Sequence, residues 1–219
     1  MAATGFLWLY GLVLQHQASS LLTDVKSLRV GSTSSADAKR VADRHRKELS
    51  KVDCEHGSCG YSFIVSNRLL SWTHAEPPAQ FVAGFTVADG TVTHIYAALL
   101  RSMPIYPTFF ASAGMVDEYA EIPEYFAREG HYAFPTPVGK PYLRVRLDRH
   151  ADMVQREHAF AFSFRCLTKP GGGCDLPCDY LPEAWGDWRT DIERHGFPMG
   201  DFENAYPKSS RCQRFQAVP

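Results

Sequence analysis

The stretch Gln80-Phe81-Val82-Ala83-Gly84-Phe85-Thr86-Val87-Ala88-Asp89-Gly90-Thr91-Val92-Thr93-His94-Ile95-Tyr96 decides the fold class. Asp-Gly between two alternating apolar runs is a strong two-residue hairpin signal, because the favoured turn needs positive φ at both central positions. The spacing predicts strands over Gln80–Ala88 and from Thr91 to about Leu100. It pairs Val87 with Val92, Phe85 with His94 and Ala83 with Tyr96. In that register His94 lies on the aromatic face of a sheet, as a structural histidine.

Outward from the hairpin, Tyr61, Phe63 and Val65 alternate ahead of Ser66-Asn67, which reads as a strand and its end. Leu143, Val145 and Leu147 alternate with Arg144 and Arg146, and Phe160, Phe162, Phe164 and Cys166 recur at every second position. Both runs read as strands, Tyr142–Asp148 and Ala159–Leu167, joined by one or two helical turns over residues 149–158. Residues 103–116 are apolar, broken by proline and aperiodic, and read as an irregular connection. Pro123 to Glu129, with Gly130 behind it, reads as a short acidic helix.

On the N-terminal side, Leu28-Arg29-Val30-Gly31 reads as a short strand and turn, and Ser32-Thr33-Ser34-Ser35 as a helix cap. The helix behind it is expected from about Ala36 to Leu49, with Ala38, Val41, Ala42, His45 and Leu49 on one face. Arg40, Arg44, Lys47 and Lys51 then share another face, which reads as solvated, and His45 is a core-edge histidine rather than a ligand. Near the other end, Leu181, Trp185, Trp188, Ile192 and His195 share a helical face, stopped by Gly196 and Pro198. The order predicts an α+β fold: a mostly antiparallel sheet packed with an N-terminal and a C-terminal helix, its loops held by disulfides.

The opening run, Gly5-Phe6-Leu7-Trp8-Leu9-Tyr10-Gly11-Leu12-Val13-Leu14, is uncharged and breaks off at Gln15-His16-Gln17. It is shorter than the roughly 20 residues that span a bilayer, and fits a signal-peptide core with small residues Ala18-Ser19-Ser20 at a cleavage site. No Lys or Arg precedes it. This divides the chain into a hydrophobic leader or membrane anchor, 1–22, and a single α+β domain, 23–219. Of the 219 residues 45% are hydrophobic and 21% charged, ample for a sizeable core. The net charge of −1 offers no global field for nucleic acid, so no nucleic-acid partner is expected.

Six cysteines, Cys54, Cys59, Cys166, Cys174, Cys178 and Cys212, are many for a chain held in a reducing cytosol. They read as up to three disulfides, and their pairing stays open among about 15 combinations. Three of them sit in Cys166-Leu167-Thr168-Lys169-Pro170-Gly171-Gly172-Gly173-Cys174-Asp175-Leu176-Pro177-Cys178, where glycine freedom and missing proline donors call for a covalent tie. The alternative is a four-thiolate zinc site from Cys54, Cys59, Cys174 and Cys178, whose spacings suit structural zinc. Otherwise no metal or cofactor is expected.

Gly171-Gly172-Gly173 lacks the Gly-Lys-Ser/Thr ending of a phosphate loop, and none of the nine histidines sits in a catalytic motif. His150-Ala151-Asp152 comes nearest, and adjacent residues rarely converge on one proton. The aromatics of the C-terminal region, Tyr180 to Tyr206, read as packing rather than as a sugar groove.

Gly139-Lys140-Pro141-Tyr142-Leu143, Cys166 to Cys174 as quoted, and Asp179-Tyr180-Leu181-Pro182 resemble segments of a group of uncharacterised bacterial proteins with an N-terminal hydrophobic leader. That resemblance implies no activity. Arg29-Val30-Gly31-Ser32-Thr33 leading into a helix and antiparallel strands is similar to small envelope-assembly lipoproteins, though no lipid-attachment cysteine follows the leader here. The expectation is an extracytoplasmic or membrane-anchored binding or structural protein of the cell envelope, its partner an envelope protein or the membrane itself. The alternatives are an extracytoplasmic hydrolase drawing on His150, His158 or Asp175, and a zinc-stabilised interaction module.

Overall fold

The computed structural model describes residues 2–67, 79–102, 107–116, 125–126, 143–167 and 177–184. Two helices open the chain, α1 (Ala2–Ser27) and α2 (Ser35–Arg44). Five strands follow as an antiparallel meander: β1 (Leu49–Glu55), β2 (Ser58–Ser66), β3 (Ala79–Ala88), β4 (Thr91–Ser102) and β5 (Pro107–Val116). The sheet is extended by β7 (Leu143–Asp148), parallel to β5, and by the two-residue β6 (Tyr125–Phe126), antiparallel to β7. Helix α3 (Met153–Ala159), a 3-10 helix at Phe164–Leu167 and the short α4 (Pro177–Tyr180) complete the described elements.

One face of the sheet carries the core. Phe63, Val65, Phe81, Ala83, Phe85, Ile95, Ala97, Leu99, Ala113, Met115, Val145 and Leu147 alternate inward along five strands, as a period-two pattern requires. Against them lies α1, which buries Leu14, Ala18, Leu21, Leu22 and Val25, spaced three and four residues apart so that they form one stripe. The leader boundary near residue 22 therefore falls within a continuous helix that already belongs to the core from Leu14 onward.

The Asp89-Gly90 hairpin forms as expected, with φ of 51° and 79° at the two turn residues. Its register differs beyond the first pair. Val87 faces Val92, but a bulge follows, so Thr86 pairs with His94, Phe85 with Ile95 and Ala83 with Ala97. One extra residue in β4 flips every later side chain to the other face. His94 thus leaves the aromatic core face and lies beside Tyr96 on the opposite one, ring centroids 5.6 Å apart.

Other expectations are corrected in the same way. The first helix of the domain ends at Arg44 rather than Leu49, and the chain turns at His45 into β1, so Lys47 and Lys51 leave the helical face assigned to them. Leu28–Gly31 is the turn after α1 and not a strand: Gly31 N–H donates to the Val92 carbonyl and Val92 N–H to Thr33, which staples the helix-to-helix link onto the β3–β4 hairpin. Residues 107–116 form a strand because β4 supplies a full ladder to a segment whose small residues carry no period of their own. Tyr125 and Phe126, expected in a helix, are strand residues.

The run Ala159–Leu167 is not a strand. Asp152 and Gln155 form a reciprocal capping box that starts α3, and the 3-10 turn follows it. Phe162 and Phe164 then pack edge-on against Phe81, at 5.7 and 4.9 Å. Asn67 fixes this segment by donating its buried side-chain amide to the Leu167 carbonyl at 3.0 Å. Tyr180, Leu181 and Ala184 are buried beside it, and residues 182–184 are helical; the rest of the expected C-terminal helix lies outside the described residues.

Candidate functional site

Where α2 ends, four polar side chains converge under the flank of α1. His45 caps α2, its N–H donating to Val41, and its side chain turns inward against Phe63, ring centroids 6.3 Å apart. The imidazole is only 7% exposed, so its polar atoms need partners. Asp24 supplies one: the His45 Nε2 to Asp24 Oδ2 distance is 2.8 Å. Arg44 Nη1 donates to both Asp24 oxygens at 2.8 Å, and Glu48 brings a carboxylate within 3.9 Å of His45 Nδ1.

Asp24 titrates below the ordinary carboxylate value of 3.8. Burial raises it, but the hydrogen bonds from His45 and Arg44, together with their charges, outweigh the burial. The cluster is not arranged for acid-base chemistry. A general base must present one ring nitrogen to substrate, whereas here each nitrogen faces a carboxylate. What the arrangement does is clasp α1 to α2 and to the chain entering β1.

Beside this clasp lies a groove of about 640 Å³ between His16, Gln17 and Ser20 of α1 and residues 43–48. Its charges are unequally matched. Asp43 pairs with Lys39 at 3.2 Å and Arg44 with Asp24, whereas Arg46 and Lys47 are exposed and make no ion pair with a described residue. On the N-terminal side of the groove α1 carries an apolar stretch, where Leu9, Leu12 and Val13 are 58%, 42% and 52% exposed. At 100° per residue Leu9, Leu12, Val13, His16 and Ser20 share the face opposite the stripe packed on the sheet. Among the described residues no helix is long and apolar enough to cross a membrane.

The cysteines divide. Cys54 and Cys59 face each other across the β1–β2 ladder, Cα atoms 4.1 Å apart, and are joined by a disulfide. The turn between them, His56-Gly57, has φ of 49° and 84°, which places the pair at a narrow position of the antiparallel ladder. Cys178 is buried and also disulfide-bonded. Three of the four sulfurs of the alternative zinc site are therefore not thiolates, and among the described residues no metal-binding cluster occurs. The Cys166 side chain, Cys174 and Cys212, with Asp175 and Gly171–Gly173, lie outside what is described.

His150 is exposed and beside Arg149 Nε at 3.1 Å, and His158 sits on α3 without joining the clasp. Of the basic residues expected to share one face, Arg40 pairs with Asp37, Arg44 with Asp24 and Lys51 with Asp53. Asp24, Glu48, Arg46 and His16 carried no sequence signal as a group, because 20 or more residues separate the α1 members from the rest. The available clue was the recurrence of Leu14, Ala18, Leu21 and Val25, which marks α1 as a packed helix and brings its polar flank against whatever follows.

Comparison of the chain with protein-family models, with curated proteins and with solved structures finds no match.

Proposed function

We propose that this is a membrane-tethered, extracytoplasmic protein of the cell envelope, a binding or structural domain held to the bilayer through the N-terminal half of α1. The observation that carries the reading is the exposed apolar face Leu9, Leu12 and Val13, directly opposite the core-facing stripe of the same helix. Two aliphatic faces on one helix are one more than the sheet can cover, and lipid accepts the second. The Cys54–Cys59 disulfide supports an oxidising compartment. Cleavage at Ala18-Ser19-Ser20 would remove Leu14 and Ala18 from the core, so the reading favours a helix that is kept.

The test is flotation of the full chain with phosphatidylcholine vesicles. About half of each exposed aliphatic remains to be buried, or about 1 kcal/mol per residue, so Leu9→Glu with Leu12→Glu should release the protein from the vesicles while leaving its fold intact. Wild-type protein that stays at the bottom of the gradient overturns the tether.

A further inference from the structure

We infer that the groove between α1 and the α2–β1 turn is a site for anionic lipid headgroups, with Arg46 and Lys47 as its phosphate ligands. This rests on the membrane reading of α1 and assigns that surface a specific chemistry.

Position is the first argument. Along an α-helix each residue advances about 1.5 Å, so His16 to Ser20 lie about 5–10 Å beyond Val13 on the same face. The polar headgroup layer on each side of a bilayer is about 5–8 Å deep. His16 and Ser20 share the face of Leu9, Leu12 and Val13, so a helix that lies with this face on the bilayer brings them and the groove beside them against the headgroup layer.

Charge is the second. Of the carboxylates in and behind the groove, Asp43 pairs with Lys39, Asp24 with Arg44 and His45, and the Glu48 side chain is largely buried, 3.9 Å from His45. Arg46 and Lys47 are the two cations left over, on a turn tied back by the Glu48 and Leu49 N–H groups donating to the His45 carbonyl. Because the clasp neutralises Asp24 and buries His45, an arriving phosphodiester meets two exposed cations with the hydroxyl of Ser20 and the amide of Gln17 alongside. Such a set suits phosphate oxygens, and the adjoining apolar stripe selects a phosphate that carries acyl chains over one free in solution.

The experiment measures partitioning of the full chain into vesicles of phosphatidylcholine alone and of phosphatidylcholine with phosphatidylglycerol, for wild type and for Arg46→Gln with Lys47→Gln. Each basic residue near an anionic surface contributes about fivefold in affinity, so the double variant should lose about 25-fold on phosphatidylglycerol vesicles and change little on phosphatidylcholine. Equal binding of wild type to both vesicles, or a variant that keeps its preference for phosphatidylglycerol, overturns the headgroup site and leaves the tether standing. Binding to neither vesicle overturns both. Loss of the preference on adding inorganic phosphate at unchanged ionic strength assigns the groove to free phosphate and overturns the lipid assignment.

Discussion

Removing the Asp24 carboxylate tests whether the clasp holds α1 to the rest of the fold. In Asp24→Ala the buried His45 loses the acceptor at 2.8 Å, and Arg44 loses its only ion-pair partner among the described residues. Arg44 is mostly exposed, so its share is about 1 kcal/mol or less. His45 is 7% exposed, and a buried donor left without its charged acceptor costs about 1–3 kcal/mol. The sum is a loss of about 1–4 kcal/mol, whereas Asp24→Asn keeps an acceptor and should lose about half as much. Urea unfolding at neutral pH reads this as a fall in midpoint at constant slope. The pH dependence has a fixed sign. A carboxylate whose folded-state pKa lies below 3.8 contributes stability that is complete above that value and disappears as pH falls through the folded pKa. The gap between wild type and Asp24→Asn should therefore shrink as pH falls below 3.8. A cycle with His45→Gln should give a coupling above about 0.5 kcal/mol. An Asp24→Ala loss under about 1 kcal/mol, or no coupling to His45, would refute the clasp.

The disulfide predicts that Cys54 and Cys59 resist alkylation without reductant in intact-mass measurements, and that replacing both with serine costs about 2 kcal/mol, small because the closed loop is short. Gly84 is buried where an added Cβ would collide with the Tyr61 carbonyl and with the Tyr96 ring, which reaches over it to hydrogen-bond Ser62. Gly84→Ala should cost about 1–3 kcal/mol, and Tyr96→Leu in the same chain should recover part of that in thermal unfolding. Phe81→Ala empties the space between Phe162 and Phe164 and should cost about 3–5 kcal/mol by urea midpoint.

What the chain carried in its own pattern was the local part: the Asp89-Gly90 turn, the alternation that makes β2, β3, β4 and β7, the Ser34 cap of α2, and the α+β class with its mostly antiparallel sheet. These follow from steric and hydrophobic periods that act over a few residues. The bulge after Val87 was not legible, since one inserted residue changes no local preference and is chosen by how the faces pack. Nor was β5, whose small residues become a strand only because β4 offers a ladder, nor the 3-10 segment, where Phe162 and Phe164 reach a core across the fold instead of a neighbouring strand. For the opening run, read as a hydrophobic leader or membrane anchor, hydropathy counts residues without asking where they face. Only the sheet decides that Leu14, Ala18, Leu21 and Val25 point inward and leave Leu9, Leu12 and Val13 outside. The Asp24–His45 clasp and the two leftover cations beside it belong to the same class: opposite charges find one another across 20 residues of chain because packing has already brought their helices together.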